Sequence, residues 1–463
     1  MKLKFIALTG LLGLSQIALA QVLPLSNALD RSVQNYQTIK AKEAMAKAAE
    51  ENIQFQKYQY VPDITFQAQQ NYGTINAQNG PLYSYGGLGA ASTSMPLAEQ
   101  NWNAAFGSLY LANVNWNLFS FGRIKNQVAV AESEYQTATR DLDQELFQHK
   151  IKVTAAYLNL LASQRIKFVQ EKNMERAKVF LSTTVSRAQS GLIPEVDASL
   201  AKAEVSNAQS AQIKAYDKEL DYSKNLAVLL GDSFQTYVLD SVFTTKTPLV
   251  LSDHQTEADK HPYLLYQKSK IEQSQSNEKY VKTNMLPSLM AFGVLQGRGS
   301  GFEWNYVQDN NAYSNSYWKG AQISRGNYLI GLTLSWNITN AFRYSTKAKE
   351  QKFQTSALQN NYDLLKEDLS AQALLASAKY ANAVKDLDES NIQVKAASDA
   401  YRQHMALYTN GLTTIVDLTQ SHYLLNRAEI DHEIAQNNVW QALLLKAAAQ
   451  GDLTVILNAI PNK

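Results

Sequence analysis

The chain has 463 residues, 45% hydrophobic and 18% charged, with 43 Lys and Arg against 41 Asp and Glu and no cysteine. Near-neutral charge excludes the basic footprint of a nucleic-acid-binding protein, and the lack of cysteine excludes disulfides, thiolate metal sites and a lipidated N-terminal Cys. Composition leaves open either two or three ordinary domains or one elongated architecture.

Residues 1–20 read as a signal peptide. Lys2 and Lys4 form a basic start, Phe5 to Leu14 is an apolar run, and Ala18-Leu19-Ala20 offers a small-residue cleavage site before Gln21. Beyond them no stretch approaches the ~18 consecutive apolar residues of a transmembrane helix. Such an exported chain is periplasmic, secreted or a β-barrel protein.

The sequence divides into two copies of one unit, 21–240 and 241–463. Trp116-Asn117 recurs as Trp336-Asn337, 220 positions later. The same offset relates Gly191-Leu192-Ile193-Pro194-Glu195-Val196-Asp197 to Gly411-Leu412-Thr413-Thr414-Ile415-Val416-Asp417, and Gly231-Asp232 to Gly451-Asp452. A shared offset over so long a span points to duplication. Each unit reads as a helix, two strands with a long loop, a very long helix, a turn and a further helix.

In the first unit the strand pair falls within 61–120. From Pro62 to Tyr72, Ile64, Phe66 and Ala68 alternate with Asp63, Thr65, Gln67, Gln69 and Asn71. From Phe106 to Leu118, Phe106, Tyr110, Ala112, Val114, Trp116 and Leu118 share one face, and Asn113, Asn115 and Asn117 the other. Alternation over about ten residues with aromatic ends fits a barrel strand with one face to lipid and one to a polar lumen. A soluble half-buried sheet also alternates; the export signal and the aromatic ends favour the membrane. A long helix is expected over 121–190, where neither Gly nor Pro occurs between Gly122 and Gly191. At 1.5 Å per residue it would be on the order of 100 Å long. Helices of that length must lie side by side in a coiled-coil-like array, and Ala129, Ala131, Ala138, Ala396, Ala397 and Ala400 would let them approach closely. Another helix covers 194–230.

The second unit predicts a helix over 261–285, a strand pair over 287–338, a long helix over 341–410 and a helix over 414–450. Tyr328, Ile330, Leu332, Leu334, Trp336 and Ile338 share one face, with Gly331, Thr333, Ser335 and Asn337 opposite; Pro287 to Gln296 alternates poorly. The connecting loops, about 73–104 and 297–327, carry most of the glycines with Tyr83, Tyr85, Trp102, Trp304, Tyr306 and Trp318. Gly297-Arg298-Gly299-Ser300-Gly301 lacks a phosphate-loop Lys and reads as a flexible outer loop. The histidines, His422 and His432 among them, show no metal-ligand spacing and read as lying on solvated helix faces. No nucleophile elbow or paired-carboxylate constellation occurs. Four strands cannot close a membrane barrel, since single-chain barrels begin at about eight, and an open edge in lipid leaves backbone groups unpaired. Strands that span the membrane therefore require an oligomer sharing one barrel, of two, three or more chains.

The duplicated plan, with Gly-Leu and then an Asp six residues after the Gly in Ala188 to Asp197 and again in Tyr408 to Asp417, resembles the TolC-like outer membrane efflux proteins over nearly the whole mature chain. The resemblance implies a mainly α fold with a membrane β-barrel portion. Three chains would share a 12-stranded barrel, with long helical hairpins forming an α-barrel through the periplasm. It implies a homotrimer in the outer membrane of a Gram-negative bacterium, in contact with outer-membrane lipid. The expected partners are a periplasmic adaptor (membrane fusion) protein and an inner-membrane pump; no cofactor, nucleic acid or catalytic chemistry is expected. Carried over by position, the tips form a periplasmic gate. Asp417 would line the constriction, with Gln420 where the family shows a second Asp. Asp197 and Tyr408 would be linked across neighbouring helix pairs when closed, with Thr413 where the family shows an Arg. Gly191, Leu192, Gly411 and Leu412 would contact the adaptor, although both glycines also read as ordinary helix C-caps and both acids as first-turn charges favoured by the helix dipole. A periplasmic structural coiled-coil protein and a passive porin are the competing classes. Within the export class, type I protein secretion stands beside drug efflux. The segment 232–260 and the end after Gly451 would form a small belt midway along the helices.

Overall fold

In the computed structural model the described residues are 22–77, 94–248 and 258–459. The signal-peptide reading, Tyr83 and Tyr85 lie outside them. The elements, in order, are α1 (Leu25–Asn35), α2 (Gln37–Lys57), β1 (Asp63–Thr74), β2 (Ala104–Phe119), α3 (Arg123–Gln189), α4 (Glu195–Leu230) and α5 (Val242–Thr245). They continue with α6 (Pro262–Thr283), β3 (Ser288–Ser300), α7 (Tyr317–Ala321), β4 (Arg325–Ser335), α8 (Asn340–Thr409), α9 (Ile415–Gln450) and α10 (Thr454–Asn458). No described helix is long and apolar enough to cross a membrane. The chain packs as two units, one within Met1–Ala46, Gln136–Lys270 and Leu358–Lys463, the other within Lys47–Tyr135 and Ile271–Ala357.

The first unit is helical. Its largest core gathers Leu25, Leu29, Val153, Tyr157, Leu226, Phe243, Trp440 and Ile456. Tyr157 is fully buried, and its hydroxyl is satisfied on both sides: it donates to the Leu23 carbonyl at 2.7 Å and accepts from the Asp240 amide at 3.0 Å. The segment after α4 is thereby tied to the chain entry, where Leu23 also bridges Leu239. Gly231 and Gly451 close α4 and α9 in the left-handed conformation, at φ 70° and 73°. A larger residue at either would also collide with Asn35 or His261. Elsewhere alanines make the close helix contacts: Ala177, Ala201, Ala208, Ala376 and Ala447 are buried, which suits helices too near for Leu–Leu packing. His149, His261 and His422 are also buried, contrary to the solvated-face reading. Helix packing covers the faces of α3 and α9 that carry His149 and His422, and His261 is covered just ahead of α6.

The second unit is one antiparallel sheet in the order β1-β2-β3-β4, flanked by helix ends. Trp116 and Trp336, the pair first related by the repeat, make the same bond. Each indole N–H donates to a backbone carbonyl just before the neighbouring strand, Tyr60 at 2.9 Å and Met285 at 3.0 Å. The register sorts the side chains into faces. Ile64 lies opposite Val114, Phe66 opposite Ala112, Ala112 opposite Leu295 and Leu295 opposite Tyr328. Phe66, Tyr328 and Ile330 on this apolar face are 80%, 80% and 79% exposed. The other face carries Thr65, Gln67, Gln69, Asn113, Asn115, Gln296 and Asn327 among a few leucines. β4 stops at Ser335, so Trp336 and Ile338 lie past the strand that the alternation assigned them to.

One segment departs from its sequence reading. Gly297 to Ser300, read as a flexible loop, is the last part of β3 and pairs with β2. The glycines serve close packing. A Cβ on Gly299 would lie 2.3 Å from the Gln322 carbonyl, and one on Gly320 would lie 2.3 Å from the Phe106 carbonyl. The segment carrying α7 folds back against the apolar face, where the Tyr110 hydroxyl donates to the Ala321 carbonyl at 3.1 Å. Tyr306 is buried beside Phe302 within this loop, whereas Trp102, Trp304 and Trp318 are exposed.

Candidate functional site

The two helix-turn-helix tips lie in the helical unit. At the first, α3 ends at Gln189. Gly191 takes φ 71°, its amide donates to the Ala188 carbonyl, and the Leu192 amide reaches back to Arg187 at 3.0 Å. At the second, Gly411 takes φ 75° and the Leu412 amide reaches the Leu407 carbonyl at 2.9 Å. The glycines are therefore left-handed helix terminators in which the following amide closes the last turn. This geometry throws the next side chain outward: Leu192 and Leu412 are 69% and 72% exposed.

The two acids beyond the glycines are not equivalent. Asp417 forms a capping box with Thr414 at the start of α9. One of its oxygens accepts from the Thr414 hydroxyl at 2.7 Å, the Thr413 hydroxyl at 2.9 Å and the Thr414 amide at 3.3 Å. These donors, the Thr414 hydroxyl foremost, hold the carboxyl below its ordinary range and keep it ionised. Asp197 occupies the matching place in α4, but Ile193 and Pro194 precede it and neither has a hydroxyl to offer. Pro194 caps α4 without a side-chain bond, and the Asp197 carboxylate is half-buried with no partner among the described residues. Gln420 is exposed one turn beyond Asp417.

Tyr408 is only 2% exposed and packs with Phe180, Ala201, Ile415 and Leu418 in a core of its own. Its hydroxyl is buried without a hydrogen-bond partner among the described residues. Arg187, which the sequence reading missed, joins the two tips. Its guanidinium donates to the carbonyls of Tyr408 and Thr409 at 2.5 Å each and lies 5.4 Å from the centre of the Tyr408 ring. It thus satisfies the orphan carbonyls at the end of α8 from a different helix. The sequence signal was weak: a single basic residue in the last turn of α3, with Leu407 as its counterpart in the second repeat.

The chain thus holds a four-stranded antiparallel sheet with one exposed apolar face and a unit of long helical hairpins. The family model described as Outer membrane efflux protein matches residues 28–232, a little under half of the chain, and the fold is TolC-like. Among solved structures, the chain is similar to the Campylobacter jejuni CmeC outer membrane channel, at 14% identity over 92% of this chain and 85% of that one, with a TM-score of 0.72. It is similar to the outer membrane protein VceC of Vibrio cholerae, at 12% identity over 92% and 96%, with a TM-score of 0.72. It is similar also to the open state of the Neisseria gonorrhoeae MtrE channel, at 15% identity over 92% and 89%, with a TM-score of 0.69. At such identities the likeness is one of fold. No curated protein matches the sequence.

Proposed function

We propose that three copies of this chain form the exit duct of a multi-component efflux system, receiving cargo from a periplasmic adaptor and an inner-membrane pump. One observation carries the reading. The sheet ends in two strands, β1 and β4, each with one edge unpaired among the described residues, while its apolar face is largely exposed. In lipid, unpaired backbone groups cost several kcal/mol each, so the edges must be joined. With an even number of antiparallel strands, β4 of one copy meets β1 of the next in antiparallel sense, and the ring can close. Exposed Leu364, Leu374, Leu375 and Ile392 on α8 add an apolar surface to be covered by a neighbouring copy.

In this assembly the tips are the entrance. Asp417 supplies a ring of carboxylates, with Gln420 one turn above it. Asp197 and the Tyr408 hydroxyl, without partners among the described residues, are groups to be paired between copies. Thr413 spends its hydroxyl on Asp417. Leu192 and Leu412, thrown outward by Gly191 and Gly411, present the adaptor contact. Small-molecule efflux fits the family name better than type I protein secretion, and cargo measurements decide between them. The test is negative-stain electron microscopy of detergent-extracted, size-fractionated protein. Threefold end views on elongated particles support the duct; monomers that stay soluble without detergent refute it in favour of a structural coiled-coil protein.

A further inference from the structure

The charges of the sheet are few and placed at its ends. Asp63, Arg298 and Arg325 are the charged residues of the four strands. Asp63 begins β1, opposite Asn115. At the other end Gln69 lies opposite Leu109, Leu109 opposite Arg298, and Arg298 directly opposite Arg325. Both arginines are exposed, and neither guanidinium has a partner among the described residues.

Like charges directly opposite on neighbouring strands destabilise a sheet, and no carboxylate in this layer relieves them. The next layer shows what a neutral solution looks like: Gln296 and Asn327, also directly opposite, hydrogen-bond to each other at 3.1 Å. The arginines project on the polar face with Gln296 and Asn327. A Cβ on Gly297, by contrast, would point to the apolar face and meet Ile323 at 2.9 Å. The two guanidiniums are therefore on the side away from lipid, at the end of the sheet that carries the strand-connecting loops.

Resting on the exit-duct reading, we infer that Arg298 and Arg325 form a cationic collar at the outer end of the lumen that binds multivalent oxyanions, the chemistry of phosphorylated or polycarboxylate solutes. Each copy adds one arginine pair, and the planar guanidinium fork matches phosphate and carboxylate oxygens two at a time. The collar is cationic where the Asp417 ring is anionic. Anionic cargo leaving through the collar is held briefly where its charge is favoured.

The full chain is reconstituted in planar bilayers of zwitterionic phosphatidylcholine, which bring no anionic headgroup, and sodium pyrophosphate is added on the side of the strand-connecting loops. Reversible block of the potassium chloride current is expected. It should weaken at least about tenfold in Arg298→Gln/Arg325→Gln and persist in Arg298→Lys/Arg325→Lys, which retains the charge. Arg325→Glu provides an independent check on folding: it creates a cross-strand ion pair with Arg298, should assemble at least as well as the parent chain, and should lose the block. Conducting parent channels insensitive to pyrophosphate, or a glutamine variant blocked as strongly as the parent, overturn the collar and leave the duct intact. Block that appears only after anionic lipid is added reassigns the arginines to headgroups and likewise overturns it. Protein that never conducts sinks the duct reading, and the collar with it.

Discussion

Arg187 is the side chain that ties one tip to the other, and its replacement by methionine isolates that link. Methionine keeps much of the apolar stem and removes the guanidinium, leaving the carbonyls of Tyr408 and Thr409 without their donor from α3. A hydrogen bond to a charged group contributes about 1.5–3 kcal/mol. Arg187 is half-exposed, so two such bonds together are discounted by solvent screening to about 2 kcal/mol. The loss is local, because the tip has its own small core of Phe180, Ala201, Tyr408, Ile415 and Leu418. At 1.4 kcal/mol per tenfold, local opening of the second tip should become about thirtyfold more frequent. Hydrogen exchange read by mass spectrometry reports this directly: peptides spanning 405–414 should exchange faster, and those of the C-terminal half of α9 should not change. Arg187→Lys should fall between, since the shorter side chain keeps the charge but loses the planar group whose Nη1 donates to both carbonyls. Unchanged exchange over 405–414 in Arg187→Met would show that the tips are held by packing alone.

Three further perturbations probe other levels of the structure. Trp440→Ala should cost about 3–5 kcal/mol, since it empties the centre of the largest core; thermal unfolding in detergent measures it, and a loss below about 1 kcal/mol contradicts the packing described. Burial lowers the pKa of His149 and His261 below the ordinary histidine value of about 6.5. For a histidine kept neutral in the fold, stability is complete above the unfolded value and declines as pH falls below it, because the unfolded chain takes up the proton first. His149→Leu should therefore shrink the drop in melting temperature on acidification below about pH 6.5; an undiminished drop shows that other groups cause it. In planar bilayers, Asp417→Ala should reduce cation preference, because a carboxylate ring in a narrow pore biases ion selection. In the parent chain the preference should persist into mildly acidic solution, since Thr413 and Thr414 hold Asp417 ionised; a reversal potential identical in variant and parent excludes Asp417 from the conduction path.

What the sequence made legible followed from periodicity and from the repeat. The long helices show as runs without Gly or Pro, β1, β2 and β4 as alternation, and Trp116 and Trp336 as a matched pair whose indoles make the same bond. What it hid were effects of contact between distant segments. Glycine favours loops in isolation, so Gly297 to Ser300 read as one; in the fold those glycines admit the backbone of Gly320 and Gln322 against a strand. Arg187 carries no local pattern, because its partners lie on α8. The unequal roles of Asp197 and Asp417 were present in the letters, as Ile193-Pro194 against Thr413-Thr414, but both read as first-turn acids until hydroxyl donors were found on only one. The buried histidines belong to the same class: their burial depends on neighbours remote in the chain.

The open sheet has a consequence for biogenesis. In the proposed duct a single copy cannot finish folding in the bilayer, because its edge strands have no partner among the described residues and its apolar face forbids water. Insertion and assembly must then be one event, and a lone chain in transit is the form most exposed to strand addition by the wrong neighbour. A variant with a proline in β1 should therefore do more damage than its own loss. Co-expressed with the parent chain, it would enter shared rings and leave each with one unsealed seam, a dominant defect written into the edges of the sheet.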